Sequence, residues 1–341
     1  MGTALALLVV GLLQAAPALE AAACPVVHEA LQAIPAPSGR EPAPPLHGRA
    51  TCGPRASTEA RLASARTLLV QFQRLTPRIV DRMDPDVLVI DDCWNGDPDR
   101  RLSRWDVRRL RWRLGGPPRL VLAYVSVGEA EDYRYYWNGP ARRGAAPFLD
   151  RPNPLWQGNY AVRFWDPAWR AILFGRPGSW IDRIVQAGFD GVYLDTVDAV
   201  EDWEERGRAD APARMADLVQ DLARHARRLD PAFLVVASNP FLLLGRPGVA
   251  EALSGIVAED HLMRGEASAP PKALQAVLDP LRESLRSGIP VMSIDYPRTP
   301  RGRDRYASIC ASEGFLCYAG VRALDRPGTL LPRGERKEAM P

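Results

Sequence analysis

The sequence predicts an α/β protein with the architecture of a (β/α)8 TIM barrel. Short apolar runs alternate along the chain with segments whose apolar residues recur at helical spacing. Eight such runs are present, and eight is the number of strands that closes a parallel barrel. The competing architecture, an open doubly wound sheet, needs a glycine-rich phosphate turn after its first strand, and no G-x-G-x-x-G motif occurs there.

The N-terminal residues 1–23 are typical of a secretory signal peptide. An apolar run is followed by small residues that end in three alanines at 21–23, although no Lys or Arg precedes Arg40. A buried apolar helix is the alternative, and Pro17 and Glu20 interrupt it. We therefore expect a secreted or cell-envelope protein. Attachment to a membrane is expected only through a lipid anchor at Cys24, which directly follows the alanines.

Composition divides the rest of the chain into three parts. Residues 24–57 are rich in proline and lack periodic hydrophobicity, which predicts a linker. Residues 58–321 carry the alternating pattern of the barrel, and a single barrel domain commonly takes roughly 250 residues. Residues 322–341 are polar, contain Pro and Gly, and are predicted to be a loose tail.

The barrel elements follow in order. The predicted strands are residues 68–73, 87–92, 120–127, 191–195, 233–238, 254–258, 290–295 and 315–319. Between them, helical stripes are formed by Val107, Leu110 and Leu114; by Trp169, Ile172 and Leu173; by Ile181, Ile184 and Val185; and by Leu218, Leu222 and Leu229. Each stripe is expected to cover one face of the sheet.

Net charge and cysteine spacing exclude several classes of function. A net charge of +3 gives no case for nucleic acid. The seven arginines of residues 100–113 share their segment with the stripe of Val107 and Leu110, so we interpret them as the solvated face of a helix. No C-x-x-C pair occurs and no histidine lies at ligand spacing, so neither a metal site nor a cofactor is predicted.

The cysteines leave their pairing open. Cys310 with Cys317, or Cys24 with Cys52, could form disulfides in an oxidising compartment. Alternatively, Cys93 and Cys317 are simply small apolar residues on strands.

Acidic or polar residues end most of the predicted strands, and the active site of such a barrel lies at the C-terminal ends of its strands. The residues concerned are Asp91-Asp92, Glu129, Asp195, Ser238-Asn239, Glu259-Asp260 and Asp295-Tyr296. Singly, each could be a helix cap. Carboxylates gathered at one face repel one another, which costs stability. Their repeated placement at this face therefore indicates a metal, a cationic ligand or acid/base chemistry.

Among these chemistries, glycoside hydrolysis has the parts it needs. It requires one protonated and one ionised carboxyl group. The nearest approach to a nucleophile elbow, around Ser126, lacks its first glycine. A metal-dependent deacetylase would use the aspartates as ligands, and the lack of a well-placed histidine pair argues against it. Aromatic residues that could stack on sugars lie near the strand ends, namely Tyr124, Tyr133, Tyr135, Tyr136, Trp137, Tyr193, Trp203 and Tyr296.

Four motifs resemble the endo-α-1,4-polygalactosaminidase family, glycoside hydrolase family 114, and its bacterial relatives. They are residues 123–137 (AYVSVGEAEDYRYYW), 164–167 (FWDP), 187–195 (AGFDGVYLD) and 293–297 (SIDYP). The resemblance runs from about residue 68 to 320. It implies a (β/α)8 barrel whose catalytic carboxylates end the fourth and sixth strands, which here are Asp195 and Glu259.

We therefore expect hydrolysis of an amino-sugar polysaccharide that bears free amines, with Asp195 as nucleophile and Glu259 as general acid/base. A retaining mechanism would place the two carboxyl groups roughly 5–5.5 Å apart, and an inverting separation would exchange the roles. The residues predicted to bind substrate are Tyr124, Glu129, Asp92, Tyr193, Asn239, Asp295 and Tyr296. The alternative function is a non-catalytic carbohydrate-binding barrel of the cell envelope, which would not need both carboxylates.

Overall fold

The structure is a computed structural model and describes residues 54–137 and 146–333. Its strands are β1 (Leu68–Val70), β2 (Val87–Ile90), β3 (Leu120–Ser126), β4 (Glu129–Glu131), β5 (Leu149–Pro152), β6 (Asn159–Val162), β7 (Gly191–Asp195), β8 (Leu234–Ser238), β9 (Gly255–Glu259), β10 (Met263–Arg264), β11 (Ala267–Ser268), β12 (Val291–Asp295), β13 (Leu316–Ala319) and β14 (Thr329–Leu331). Its helices are α1 (Pro54–Ser64), α2 (Pro77–Met83), α3 (Arg104–Arg111), α4 (Pro167–Leu173), α5 (Trp180–Ala187), α6 (Ala199–Glu205), α7 (Ala211–Leu229), α8 (Val249–Ala252), α9 (Pro271–Arg286) and α10 (Pro300–Glu313).

Eight parallel strands form an almost closed barrel in the order β1-β2-β3-β7-β8-β9-β12-β13, with helices outside. Each of the eight predicted apolar runs overlaps one of these strands, so the predicted TIM barrel is confirmed. β1 lies beside β13. The loop after β13 spans the remaining gap, because the backbone N–H of Phe72 donates to the carbonyl of Leu324 at 2.8 Å.

The strands and helices of the barrel bury most of the apolar residues that predicted them. All seven residues of β3 are buried, as expected of a parallel strand that is covered on both faces. In α7, Leu218 and Leu222 face the sheet, but Leu229 at the helix end is 48% exposed. In α3, Val107 and Leu110 are buried, whereas Leu114 is 86% exposed because the helix ends at Arg111. Leu114 and Leu229 were therefore wrongly assigned to the core.

A small lobe interrupts the barrel after β3. Its sheet has the antiparallel order β4-β6-β5 and stands at the C-terminal end of the barrel. The lobe begins at Gly128, whose N–H donates to Oγ1 of Thr196 at 2.8 Å. A Cβ at Gly128 would lie 2.3 Å from the carbonyl oxygen of Thr196, so only glycine allows this close approach of the lobe to the strand that carries Asp195.

Part of the predicted C-terminal tail is ordered. β14 pairs antiparallel with β13 and lies inside residues 322–341, so the prediction of a loose tail was wrong for this strand. The short run of Leu330 and Leu331 packs on the barrel core, and a run of this length gives no periodic signal in a polar context. Likewise α1 begins at Pro54, inside the predicted linker, and its Leu62 is buried.

One of the two disulfides considered is present among the described residues. Cys310 of α10 and Cys317 of β13 are bonded, with their Cα atoms 6.2 Å apart. Cys317 is therefore not simply a small apolar residue, whereas Cys93 is buried and carries no disulfide. Cys24 and Cys52 lie outside the described residues.

The predictions about export also fall outside the described part of the chain. This holds for the signal peptide at residues 1–23, for the lipid anchor at Cys24 and for most of the linker, so a secreted or cell-envelope location stays a prediction. Among the helices of residues 54–137 and 146–333, none is both long and apolar enough to cross a bilayer.

Candidate active site

A cavity of about 1070 Å³ opens at the C-terminal ends of the barrel strands. The two predicted catalytic residues, Asp195 at the end of β7 and Glu259 at the end of β9, both line it. Five other residues predicted to bind substrate also line it, namely Tyr124, Glu129, Tyr193, Asn239 and Tyr296. These seven predicted residues therefore lie together in one cavity.

The Asp195 carboxyl group lies deep in this cavity. The Tyr124 hydroxyl donates to its Oδ2 at 3.2 Å from the neighbouring strand β3. Burial, followed by the negative charges of Glu259 and Asp198, raises the pKa of Asp195 well above its ordinary range. The charge of Glu259 thus opposes ionisation of Asp195 across the cavity.

Both oxygens of the Glu259 carboxylate receive phenol hydrogen bonds. Tyr193 donates to Oε2 at 2.6 Å, and Tyr296 donates to Oε1. The backbone is held as well, since the Glu259 N–H donates to Oδ1 of Asn239 at 2.9 Å. Glu259 is thus fixed at the end of β9 by three side chains that lie on or directly after three other strands.

Asp198 extends the acidic wall beyond Asp195. Its Oδ2 accepts from Nδ2 of Asn239 at 3.1 Å, so a single amide links Asp198 to the backbone of Glu259. Burial raises the pKa of Asp198 from 3.8 to about 6, partly offset by the hydrogen bond from Asn239. Asp198 directly precedes α6 but makes no side-chain capping bond with that helix.

A buried cation, Arg134, supports this side of the site and was not predicted. Its Nε donates to Glu131 Oε2 at 2.6 Å, and its Nη1 donates to Asp91 Oδ1 at 2.8 Å. The other Glu131 oxygen, Oε1, accepts from the Tyr133 hydroxyl and lies 3.3 Å from the Tyr124 hydroxyl. Arg134 and Glu131 therefore fix the tyrosine that contacts Asp195. Both lie in the motif of residues 123–137, which was the only sequence signal for them.

Asp91, rather than Asp92, faces the cavity at the end of β2. Successive strand residues point to opposite faces, and the prediction chose the wrong member of the pair. Asp92 is buried behind the site, 3.6 Å from the Cys93 sulfur and 3.4 Å from Arg134 Nη1. Burial and the charge of Asp91 raise the pKa of Asp92 to about 6.

Asp91, Asp92 and Cys93 bring three potential metal ligands within 4.8 Å of one another. The Arg134 guanidinium already supplies a positive charge to both carboxylates. Burial and these carboxylates also raise the pKa of the Cys93 thiol well above its usual range. We therefore assign this group to Arg134 rather than to a metal ion.

Asp295 does not line the main cavity, contrary to its predicted role. It is fully buried, and its two oxygens accept the backbone N–H groups of Leu262 and Met263 at 3.1 and 3.3 Å. These bonds hold the loop that follows β9. Burial raises the pKa of Asp295 to about 7. Sequence position alone could not show that the side chain turns toward this loop.

The lobe contributes the predicted residue Glu129 and an aromatic residue that was not predicted. Glu129 lines the cavity, and its oxygens accept from Asn153 and Asn159 at 2.7 and 3.0 Å. Trp156, which is 53% exposed, lines the same side. Several aromatic residues suggested for sugar stacking instead pack away from the cavity, namely Tyr135, Tyr136, Trp137 and Trp203.

The cavity lining is strongly acidic. Eleven carboxyl groups and one arginine face it, namely Asp91, Asp97, Glu129, Glu131, Asp195, Asp198, Glu201, Asp202, Glu205, Glu259 and Asp260, with Arg322. Arg134 and Arg322 pair with some of them. Within residues 54–137 and 146–333, however, no basic side chain forms an ion pair with Asp195, Asp198 or Glu259. The centre of the cavity therefore carries uncompensated negative charge when its carboxyl groups ionise.

These buried acids predict a stability that falls as pH rises. The folded pKa of Asp198 is about 6 against an ordinary value of 3.8, so between about pH 4 and 6 the folded state binds more protons than the unfolded state. The free energy of unfolding should decrease across this window. Urea unfolding at pH 4 and 7 brackets this window, and Asp198→Asn should reduce the difference in the free energy of unfolding between the two pH values. An unchanged difference in this variant would contradict the assigned burial of Asp198.

Comparisons with known proteins agree with this geometry. Residues 109–328 match the sequence model of glycoside-hydrolase family GH114. A Deinococcus radiodurans protein described as uncharacterized is 33% identical over 244 residues, which cover 71% of this chain and 75% of that protein. A Thermotoga maritima protein, also described as uncharacterized, is 28% identical over 264 residues, covering 76% and 79% of the two chains.

Two solved structures share the fold. The glycoside hydrolase domain of PelA from Pseudomonas aeruginosa superposes with a TM-score of 0.60 at 21% identity, covering 78% of this chain and 98% of that one. Aspergillus fumigatus Ega3, solved in complex with galactosamine, superposes with a TM-score of 0.56 at 17% identity, covering 79% and 94%. At these identities the superpositions concern the fold alone.

Proposed function

Because the chain belongs to glycoside hydrolase family GH114, we propose that it hydrolyses a polysaccharide whose sugars carry free amino groups. The motif resemblance to this family is confirmed. The observation that carries the proposal is that Asp195 and Glu259 both line the centre of one acidic cavity. Such a pair is the minimum machinery of glycoside hydrolysis.

In the proposed mechanism Asp195 is the nucleophile and Glu259 the general acid/base. In the reactive form Glu259 is protonated and Asp195 is ionised. Glu259 donates its proton to the glycosidic oxygen while Asp195 attacks the anomeric carbon, which breaks the glycosidic bond and forms a glycosyl-enzyme. Glu259 then takes a proton from water, whose oxygen attacks the same carbon and releases Asp195. The reducing sugar leaves with its original configuration, and Glu259 carries the proton again.

Tyrosines position both carboxyl groups for these steps. The Tyr124 hydroxyl lies 3.2 Å from Asp195 Oδ2, and Glu131 with Arg134 holds Tyr124 from behind. On the other side, Tyr193 and Tyr296 orient Glu259. Fixed donors of this kind keep the reactive oxygens in place before the substrate arrives.

The preference for free amines follows from the charge of the cavity. An ammonium group would pair with carboxylates that have no basic partner in the described structure, among them Asp198. Ega3, which shares this fold, was solved with galactosamine, a sugar that bears such an amine. This supports an amino-sugar polymer as the substrate class.

This proposal predicts that hydrolysis depends on amine and salt. Partly deacetylated galactosaminoglycan should be cleaved with a lower KM than its fully acetylated form, and 0.5 M NaCl should raise that KM several-fold because salt screens the charges. Product mass spectrometry measures both effects, with EDTA present to exclude adventitious metal. Glu201→Gln on the cavity rim should also raise the KM, whereas Asp304→Asn on the exposed face of α10 should not.

Two outcomes would contradict the proposal. Equal KM values for both polymers at low and high salt would indicate a neutral glycan. Tight binding without any turnover would instead indicate a non-catalytic carbohydrate-binding barrel.

A further inference from the structure

A second cavity of about 950 Å³ lies directly beside the first. Asp260, Tyr296, Arg322 and Ala323 line both cavities and form the boundary between them. Arg322 donates to Asp260 Oδ1 at 2.8 Å, and its guanidinium lies 4.6 Å from the centroid of the Tyr296 ring. The two cavities are therefore neighbouring parts of one surface, separated by an ion pair and a tyrosine.

The boundary adjoins the catalytic pair. The Tyr296 ring faces both cavities, and its hydroxyl donates to Glu259 Oε1. Glu259 is the group that protonates the glycosidic oxygen in the proposed mechanism. A polysaccharide that presents this oxygen to Glu259 can therefore have sugars of the first cavity on one side of the bond and sugars of the second on the other.

The two cavities differ sharply in charge. Eleven carboxyl groups and one arginine line the first, whereas three carboxyl groups and four arginines line the second, namely Asp260, Glu266 and Asp295 with Arg298, Arg303, Arg322 and Arg326. The second cavity is thus close to neutral, with an arginine excess of one. An ammonium group therefore gains no electrostatic attraction by entering the second cavity.

The carboxyl groups of the second cavity already form an ion pair or hydrogen bonds with other groups of the protein. Asp260 pairs with Arg322, and Glu266 accepts the backbone N–H groups of Arg298 and Thr299 at 2.9 and 3.1 Å. Asp295 accepts two backbone N–H groups of the loop after β9. These carboxylates are therefore poor partners for a substrate amine, unlike those around Asp195.

We propose that the second cavity binds the next sugars of the same polysaccharide chain and selects uncharged, N-acetylated ones. This inference rests on the proposed function. The protein would then cleave a partly deacetylated polymer preferentially where a free-amine segment meets an acetylated segment. An acetamido group carries no charge, so the arginines of the second cavity do not repel it.

The test is the acetylation state of the ends that hydrolysis creates. A galactosamine oligomer that is acetylated at random to about one half is digested in H₂¹⁸O, which labels each new reducing end. Tandem mass spectrometry then reads the sugar at every new reducing and non-reducing end. One kind of end should be enriched in free amine and the other in N-acetyl by about tenfold, which corresponds to about 1.4 kcal/mol of discrimination.

Charge reversal in the second cavity provides the matched experiment. The double variant Arg303→Glu with Arg326→Glu should admit ammonium groups, reduce the bias toward N-acetyl ends and speed cleavage of fully deacetylated oligomer. Arg301→Glu is the control, since Arg301 is exposed on the same helix as Arg303 but outside the cavity. It should keep the bias of the unmodified protein.

The outcomes separate this inference from the proposed function. Efficient hydrolysis with randomly acetylated ends, or a bias that the double variant leaves unchanged, overturns the inference and leaves the proposed function standing. Absence of hydrolysis of any amino-sugar oligomer contradicts the proposed function, and the inference falls with it.

Discussion

Asp195→Asn should lower turnover by at least about 10³-fold while the protein stays folded, which is the scale on which loss of one essential catalytic group is felt. The amide keeps the shape of the side chain but cannot attack the anomeric carbon. It can still accept the hydrogen bond that Tyr124 donates to Oδ2 at 3.2 Å. Substrate binding should therefore survive, and the KM should change far less than kcat.

The stability of this variant gives a second readout. The pKa of Asp195 is raised well above its ordinary range by burial and by neighbouring carboxylates, so its ionised form costs stability. Asn carries no charge, and Asp195→Asn should be at least as stable as the unmodified protein at pH 8. Melting temperature and turnover are measured on the same preparation. A loss of about 0.5–2 kcal/mol with normal turnover would instead identify a structural role such as a helix cap.

Asp198→Asn is the matched control for Asp195→Asn. Asp198 lies three residues further along, is also buried, and also has a raised pKa, but the proposed mechanism gives it no covalent role. Its substitution should weaken binding of the amine-bearing polymer and spare the chemical step. Equal losses of kcat in both variants would contradict the assignment of Asp195 as the nucleophile.

The barrel was predictable because its signal is long and regular. Eight apolar runs alternate with helical stripes, and neither feature depends on distant contacts. The lobe gave no such signal, since its strands have only three or four residues in a polar segment. The same limit hid β14.

Part of the site was predictable for a related reason. Strand ends of a parallel barrel meet at one face, which brought Asp195 and Glu259 into a single cavity. The direction of a side chain at the strand end is not given by this rule. Asp92 turns away from the cavity while Asp91 lines it, and Asp295 bonds to a loop that starts on another strand.

The supporting contacts depend on packing between distant parts of the chain. Arg134 joins Asp91, which lies 43 positions away, to Glu131 in the lobe. Arg322 closes the boundary to the second cavity by pairing with Asp260, which is 62 positions away. No local sequence pattern encodes either ion pair, although both pairs organise the site.

Glu259→Gln should slow the hydrolysis of substrates with poor leaving groups far more than that of substrates with activated leaving groups. The natural polymer needs protonation of its leaving oxygen, whereas a dinitrophenyl glycoside of the same amino sugar does not. Turnover of the polymer should therefore fall by about 10²–10⁴-fold, the usual contribution of general acid catalysis, with formation of the glycosyl-enzyme from the aryl substrate much less affected.

The structure accommodates the amide in this variant. An amide NH₂ placed where Oε2 lies would face the Tyr193 hydroxyl, which can accept from it and donate instead to Ser238 Oγ at 3.0 Å. Tyr296 can keep its donation to the remaining oxygen. The fold and the position of the side chain should thus be retained, and a change in melting temperature of more than a few degrees would indicate a disturbed site.

Glu259→Ala tests the other half of the role assigned to Glu259. With no base to activate water, the glycosyl-enzyme on Asp195 should accumulate from the aryl substrate, and mass spectrometry of a peptide containing Asp195 should detect it. Azide needs no deprotonation, so adding it should restore turnover and yield a glycosyl azide of the same anomeric configuration as the substrate. A product of inverted configuration would show that azide attacks the substrate directly. The roles of the two carboxyl groups would be exchanged by two results together. The unmodified protein would form its covalent adduct on Glu259, and the turnover of Asp195→Asn would depend on the leaving group.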